Sequence, residues 1–141
     1  MKNQYFADKR DYLKYDLLLE LVKKMIDSSP PRLLFTQWTS ILMLTENDTT
    51  TEGSKKKYDV GTRDPKLYSF LSKHIESKSF QVSYLRGLAE EIGHKFQYNP
   101  YNDDTYFSDN KRNEYFSNIP STILENALVF CDPDIGIEVK S

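Results

Sequence analysis

Between Asp11 and Ile26 apolar residues return every four positions. Leu13, Leu17, Leu21 and Met25 form a row that Leu18 and Val22 widen, while Lys14, Glu20, Lys23 and Lys24 lie off it. This spacing predicts an amphipathic helix with the row turned inward. Asp8 or Asp11 can cap its start. Ser28-Ser29-Pro30-Pro31 ends it, because proline lacks an amide proton and drives the preceding residue out of the helical region. The pattern then changes character. Arg32 to Leu44 is rich in β-branched and aromatic residues, which predicts a strand at Leu33 to Thr36, with Trp38 to Leu44 extending it or beginning a second one.

Thr45 to Gly61 is polar and reads as a long flexible loop; its Lys55-Lys56-Lys57 run is a solvated charge cluster. Asp64-Pro65 marks a helix start, with Asp as cap and Pro in the first turn, and Leu67, Phe70, Leu71 and Ile75 give that helix an apolar face. Leu85, Leu88, Ala89, Ile92 and Phe96 predict another helix from Val82 to Lys95, weakened near its end by Gly93. Phe96 to Tyr98 reads as a short strand before a turn at Asn99-Pro100-Tyr101-Asn102. Asp109 is placed to cap a short helix through Phe116, and Ser121 to cap a further one. Asn126 to Cys131 is an apolar run that reads as a buried strand.

Helices alternating with only two or three strands predict an α/β layered domain, one domain over residues 1–141, with fewer strands than a doubly wound sheet usually has. An incomplete sheet leaves an edge where a protein partner or a second copy could pair. Composition agrees with a soluble globular chain: of 141 residues, 38% are hydrophobic, 28% charged and 13% aromatic. The formal charge of -2 advertises no nucleic-acid partner in bulk, although it leaves room for a local patch. No apolar run approaches a membrane span and the opening residues are not a signal peptide, so a cytoplasmic location is expected. The lone cysteine, Cys131, reads as a small buried hydrophobe.

The last strand runs into Asp132-Pro133-Asp134-Ile135-Gly136, and only five residues follow. In an open α/β sheet, acidic groups just past the carboxyl end of a strand face the crevice where ligands bind. The expectation is a domain cut short at its own ligand edge. Asp132, Asp134 and Glu138 also gather three carboxylates that would suit Mg2+, the basis of an alternative reading as a metal-dependent nuclease. His74 and His94 have no acidic or cysteine partner at ligand spacing and read as surface or partly buried histidines. Two similar pieces, Tyr5-Phe6-Ala7-Asp8-Lys9-Arg10 and Tyr106-Phe107-Ser108-Asp109-Asn110-Lys111-Arg112, combine aromatic and basic residues that could stack on nucleic acid. The favoured reading is an apolar anchor followed by an acidic helix cap.

Two segments carry a resemblance. Asn3-Gln4-Tyr5-Phe6-Ala7-Asp8 with Asp11-Tyr12-Leu13-Lys14-Tyr15-Asp16-Leu17, and Asp132-Pro133-Asp134-Ile135-Gly136-Ile137-Glu138, are similar to a group of uncharacterised bacterial and phage proteins. More distantly, the arrangement resembles the class I, Rossmann-like ribosomal RNA adenine-N6 methyltransferases. That resemblance implies an incomplete Rossmann-like domain, S-adenosylmethionine as cofactor, Lys14 on the cofactor side, and Asp132-Pro133-Asp134 as the catalytic segment. It also implies a nucleic-acid-directed role. An aspartate there would accept hydrogen bonds from an exocyclic amine and aim its lone pair at the methyl group. Two departures count against activity in this chain: Thr36 to Ser40 has no glycine for close approach to the cofactor, and Asp134-Ile135 stand where the motif has proline and an aromatic. The expectation is a methyltransferase-like domain, inactive or incomplete by itself, with a non-enzymatic interaction module as the other alternative.

Overall fold

The first helix owes its position to the residues just before it. In the computed structural model, which describes residues 2–28, 36–46, 64–93 and 96–133, α1 spans Lys9–Ser28. Asp8 is its cap: Oδ1 accepts from the Arg10 and Asp11 amides at 2.8 and 2.9 Å. Asp11 reaches back to accept the Ala7 amide at 3.1 Å, holding Ala7 at φ 66, a left-handed conformation that disfavours any side chain. Phe6 is fully buried beside this cap, so the first aromatic-basic piece is an apolar anchor and an acidic cap.

The helix presents a different face from the one its leucine row predicts. Tyr12, Tyr15, Leu18, Leu19 and Val22 are buried, whereas Leu13, Leu17, Leu21 and Met25 are exposed. The two tyrosines explain the rotation: each aromatic ring removes more apolar surface from water than a leucine, and Tyr15 packs on Trp38 with ring centroids 6.0 Å apart.

Of the strand predicted at Leu33 to Thr36, residues 33–35 lie outside the described residues, as do most of the 45–61 loop, the lysine run and His94, and Thr36 is not strand. The extension at Trp38 to Leu44 is the actual strand: β1 spans Gln37–Met43. Helix α2, Pro65–Glu76, begins as expected. Asp64 Oδ1 accepts from the Lys66 and Leu67 amides, Pro65 occupies the first turn, and Leu67, Phe70 and Leu71 are buried. Lys23 of α1 reaches Asp64 Oδ2 at 3.0 Å, tying α1 to the start of α2.

The helix predicted from Val82 to Lys95 is instead a 3-10 turn at Val82–Gly87 followed by the short α3, Leu88–Ile92, which ends at Gly93 in the left-handed conformation, φ 69. Leu85, Leu88 and Ile92 are buried as their spacing requires. The predicted turn at Asn99 and Pro100 is strand: β2 spans Gln97–Tyr101, and the chain turns at Asn102, φ 56. Pro100 is tolerated because β2 is at the sheet edge, where a missing amide proton breaks no ladder. A 3-10 turn at Asp109–Lys111 leads into α4, Arg112–Ser117, with Ser108 rather than Asp109 in the cap position and no side-chain cap bond. Ser121 likewise opens a 3-10 turn rather than capping a helix. The final strand, β3, spans Ala127–Pro133.

The three strands are parallel in the order β2-β1-β3. β1 is therefore central, and its residues from Trp38 to Met43 are all buried, as a strand covered on both faces requires. One face, with Trp38, Leu42, Tyr98, Leu128 and Phe130, joins the large core under α1 and α2. The other face, with Ile41, Met43 and Tyr101, packs on Tyr115 of α4, Phe107 and Ile119. Parallel neighbours need crossover connections, and α2 with α3, then α4, supply them. The result is a small, incomplete Rossmann-like α/β domain. No helix among the described residues is long and apolar enough to cross a membrane.

Cys131 departs from its predicted burial. It lies on the α4-facing side of β3, but α4 covers β1 and β2, so Cys131 is exposed and Val129 beside it is 43% exposed.

Candidate functional site

The carboxyl edge of the sheet carries two acidic residues, each matched by a cation of the same chain. Asp132 stands opposite Leu42 of β1 in the parallel register. Lys14, on the second turn of α1, places its Nζ 2.7 Å from Asp132 Oδ2 and 2.7 Å from Asp11 Oδ1. The structure thus brings the candidate cofactor-side lysine onto the first residue of the candidate catalytic segment. Pro133 ends β3; Asp134 and Glu138 lie outside the described residues. Among the described residues no group of three His, Cys, Asp or Glu side chains is arranged to hold a metal ion.

Burial sets the electrostatics of this cluster. It pushes the Asp11 carboxyl up to about 6; Lys14 pulls it back only in part, and the Asp8 and Asp132 carboxylates add to the rise. Burial also acts against the Lys14 ammonium, but Asp11 and Asp132 more than offset it, so its pKa lies above the ordinary lysine value. Behind the ion cluster are three buried hydroxyls, those of Tyr15, Ser40 and Tyr98, none with a geometrically sound hydrogen bond among the described residues. Burial raises both phenols well above the usual tyrosine range, with Asp11 and Asp132 contributing; the nearby Ser40 hydroxyl opposes the shift at Tyr98.

The second carboxylate, Asp103, comes one residue after the turn at Asn102 that ends β2, and is almost fully buried. Arg86 grips it with two bonds, Nε to Oδ2 at 2.6 Å and Nη2 to Oδ1 at 2.7 Å, and also reaches Asp104 at 2.7 Å. Sequence reasoning missed this clamp. The acidic pair Asp103-Asp104 after a strand is the signal that was there to read, but nothing local in the sequence ties it to Arg86.

Beyond β1 the edge is also occupied by the chain itself. Leu44 is fully buried and bridges to Tyr106, with the Phe107 amide donating to the Leu44 carbonyl, and Thr45 bridges to Lys2. Leu44, Thr45 and Glu46 include no glycine. Glycine is the residue that lets backbone approach a ligand most closely, and these three positions do not supply it.

His74 sits among aromatic rings. It stacks on Tyr84 at 4.4 Å and meets Phe70 and Phe6 edge-on, and burial, assisted by Lys73, lowers its pKa. The second aromatic-basic piece is less anchored than the first: Tyr106 is exposed and Phe107 partly buried.

Fold and site together define a small Rossmann-like α/β domain whose carboxyl edge carries acidic groups paired with cations of the same chain. In comparisons with family models, curated proteins and solved structures, nothing matches this chain.

Proposed function

We propose that this chain is a methyltransferase-like domain that keeps the acidic landmark at Asp132 without performing methyl transfer, and that it works as an interaction module. The observation that carries this reading is the Lys14 to Asp132 contact at 2.7 Å. A carboxylate that orients an exocyclic amine must have its lone pairs available, and here an ammonium already takes one oxygen. The Arg86 clamp on Asp103 and the bridges beyond β1 support the same reading, because each closes a place that a cofactor would need.

The test is a thermal-shift measurement with S-adenosylmethionine, with Mg2+, and with a single-stranded RNA oligonucleotide. The third arm addresses the nucleic-acid-directed role implied by the resemblance. A ligand that binds only the folded state raises the melting temperature. No shift with S-adenosylmethionine or Mg2+ is expected. A shift with either that disappears in Asp132→Asn would overturn the module reading and restore an active ligand site.

A further inference from the structure

The outward face of α1 is apolar and basic at once. Leu13, Leu17, Leu21 and Met25 recur every fourth position along the helix, and all four are exposed. Side chains four apart on a helix are neighbours, so these form one continuous row, unlike apolar residues scattered singly over a surface. Each step of four overshoots a full turn by about 40°, so the row sweeps a sector of about 120° around the helix. The same sector contains Arg10, Lys14, Lys24 and Ser28. It contains no acidic residue. Asp11 and Asp16 are turned inward and buried, while Glu20 and Asp27 lie beyond the Leu13 border of the sector. Lys14 is drawn aside to Asp11 and Asp132. Arg10 and Lys24 are exposed, and neither forms an ion pair with a described residue.

This combination restricts what can cover the face. Nucleic acid would neutralise Arg10 and Lys24 but leave the leucine row in water. A single partner helix laid along α1 follows a seam that repeats about every 3.5 residues, a strip too narrow for a row that winds through about 120°. A bilayer boundary accepts the whole width. Apolar side chains enter it to a depth of roughly 5–10 Å, and the long stems of arginine and lysine lie along the apolar surface while their charged heads reach the phosphates. Free cations with no acidic residue between them select a bilayer that carries anionic lipid. Lying on such a surface differs from crossing it, for which α1 is too polar.

We propose that the outward face of α1 docks on an anionic lipid bilayer, with Leu13, Leu17, Leu21 and Met25 in the boundary and Arg10 and Lys24 at the headgroups. The inference rests on the module reading and names what the module touches. The opposite face of the helix stays on the core through Tyr12, Tyr15, Leu19 and Val22, so the domain rides on the surface without unfolding. Apolar insertion and charge attraction add, and the binding is reversible and weakened by salt.

Flotation of the full chain with vesicles tests this directly. Vesicles of phosphatidylcholine mixed with phosphatidylserine should carry the protein, vesicles of phosphatidylcholine alone should not, and added salt should release it. Leu17→Glu combined with Leu21→Glu, at two exposed positions, should abolish the binding with the far-UV circular dichroism unchanged. Arg10→Gln combined with Lys24→Gln should weaken it roughly thirtyfold, the share of two bases at an anionic surface. Equal binding to both vesicles, or binding that survives Leu17→Glu with Leu21→Glu, would overturn the proposal. Binding to neither vesicle would overturn it too and give the face to a protein partner, a second copy or another chain. These readouts are independent of the ligand test. A chain that ignores vesicles and S-adenosylmethionine alike loses only the membrane surface, whereas a ligand shift lost in Asp132→Asn removes the module reading itself.

Discussion

Lys14 and Asp132 are 118 positions apart in the chain and 2.7 Å apart in space. Their contact joins the second turn of the first helix to the end of the last strand, and it is largely shielded from water. Removing one member of such a pair leaves the other buried and uncompensated, which costs about 3–5 kcal/mol in comparable cases.

Lys14→Met should therefore destabilise the fold by roughly 3 kcal/mol, since the variant strands both Asp11 and Asp132. Urea unfolding measures this directly. Adding Asp132→Asn to Lys14→Met should recover part of the loss by removing one of the two stranded charges. A double variant no more stable than Lys14→Met would show that the pair does not contribute as a unit.

Asp11 predicts an unusual pH dependence. Its folded pKa, about 6, lies above the ordinary carboxyl value of 3.8. The folded state thus holds this proton more tightly than the unfolded chain does. The associated stability is fully present below the unfolded value and is lost as pH rises through 6. Asp11→Asn keeps an acceptor for the Ala7 amide and removes the titration. Its unfolding free energy, measured against the wild type, should rise between pH 4 and pH 7 in favour of the variant, by about 3 kcal/mol at full ionisation. A difference that stays constant across this range would refute the assignment.

The rotation of α1 is tested by two leucines on opposite faces. Leu19 is fully buried and Leu13 is 52% exposed. Leu19→Ala should cost about 2–5 kcal/mol, while Leu13→Glu should stay within roughly 0.5 kcal/mol of the wild type. Reversed magnitudes would mean that the leucine row faces the core after all.

What could be read from the sequence was what is decided locally. Asp64 and Pro65 announce α2 because a cap and a first-turn proline act within one helical turn, and the apolar run after Asn126 announces β3 for a similar reason. The inward face of α1 could not be read this way. Two competing stripes share that helix, and the choice depends on Trp38, which Tyr15 meets only after β1 is in place. Cys131 illustrates the same limit: composition suggests an interior strand, but its exposure follows from the order β2-β1-β3, which no residue of β3 encodes. Lys14 and Asp132 each stand out in the sequence as candidates, and the fold brings them together. That they neutralise each other is a property of the pair, as is the Arg86 grip on Asp103.

Pro100 has a consequence for which edge of the sheet can recruit a further strand. Sheets that expose two competent edges can add copies end to end and grow into fibres, the failure that edge strands invite. In this chain the edge strand β2 is interrupted by an imino acid, so that edge offers no unbroken row of amide donors to a neighbouring strand. A single residue thus limits growth of the sheet on that side.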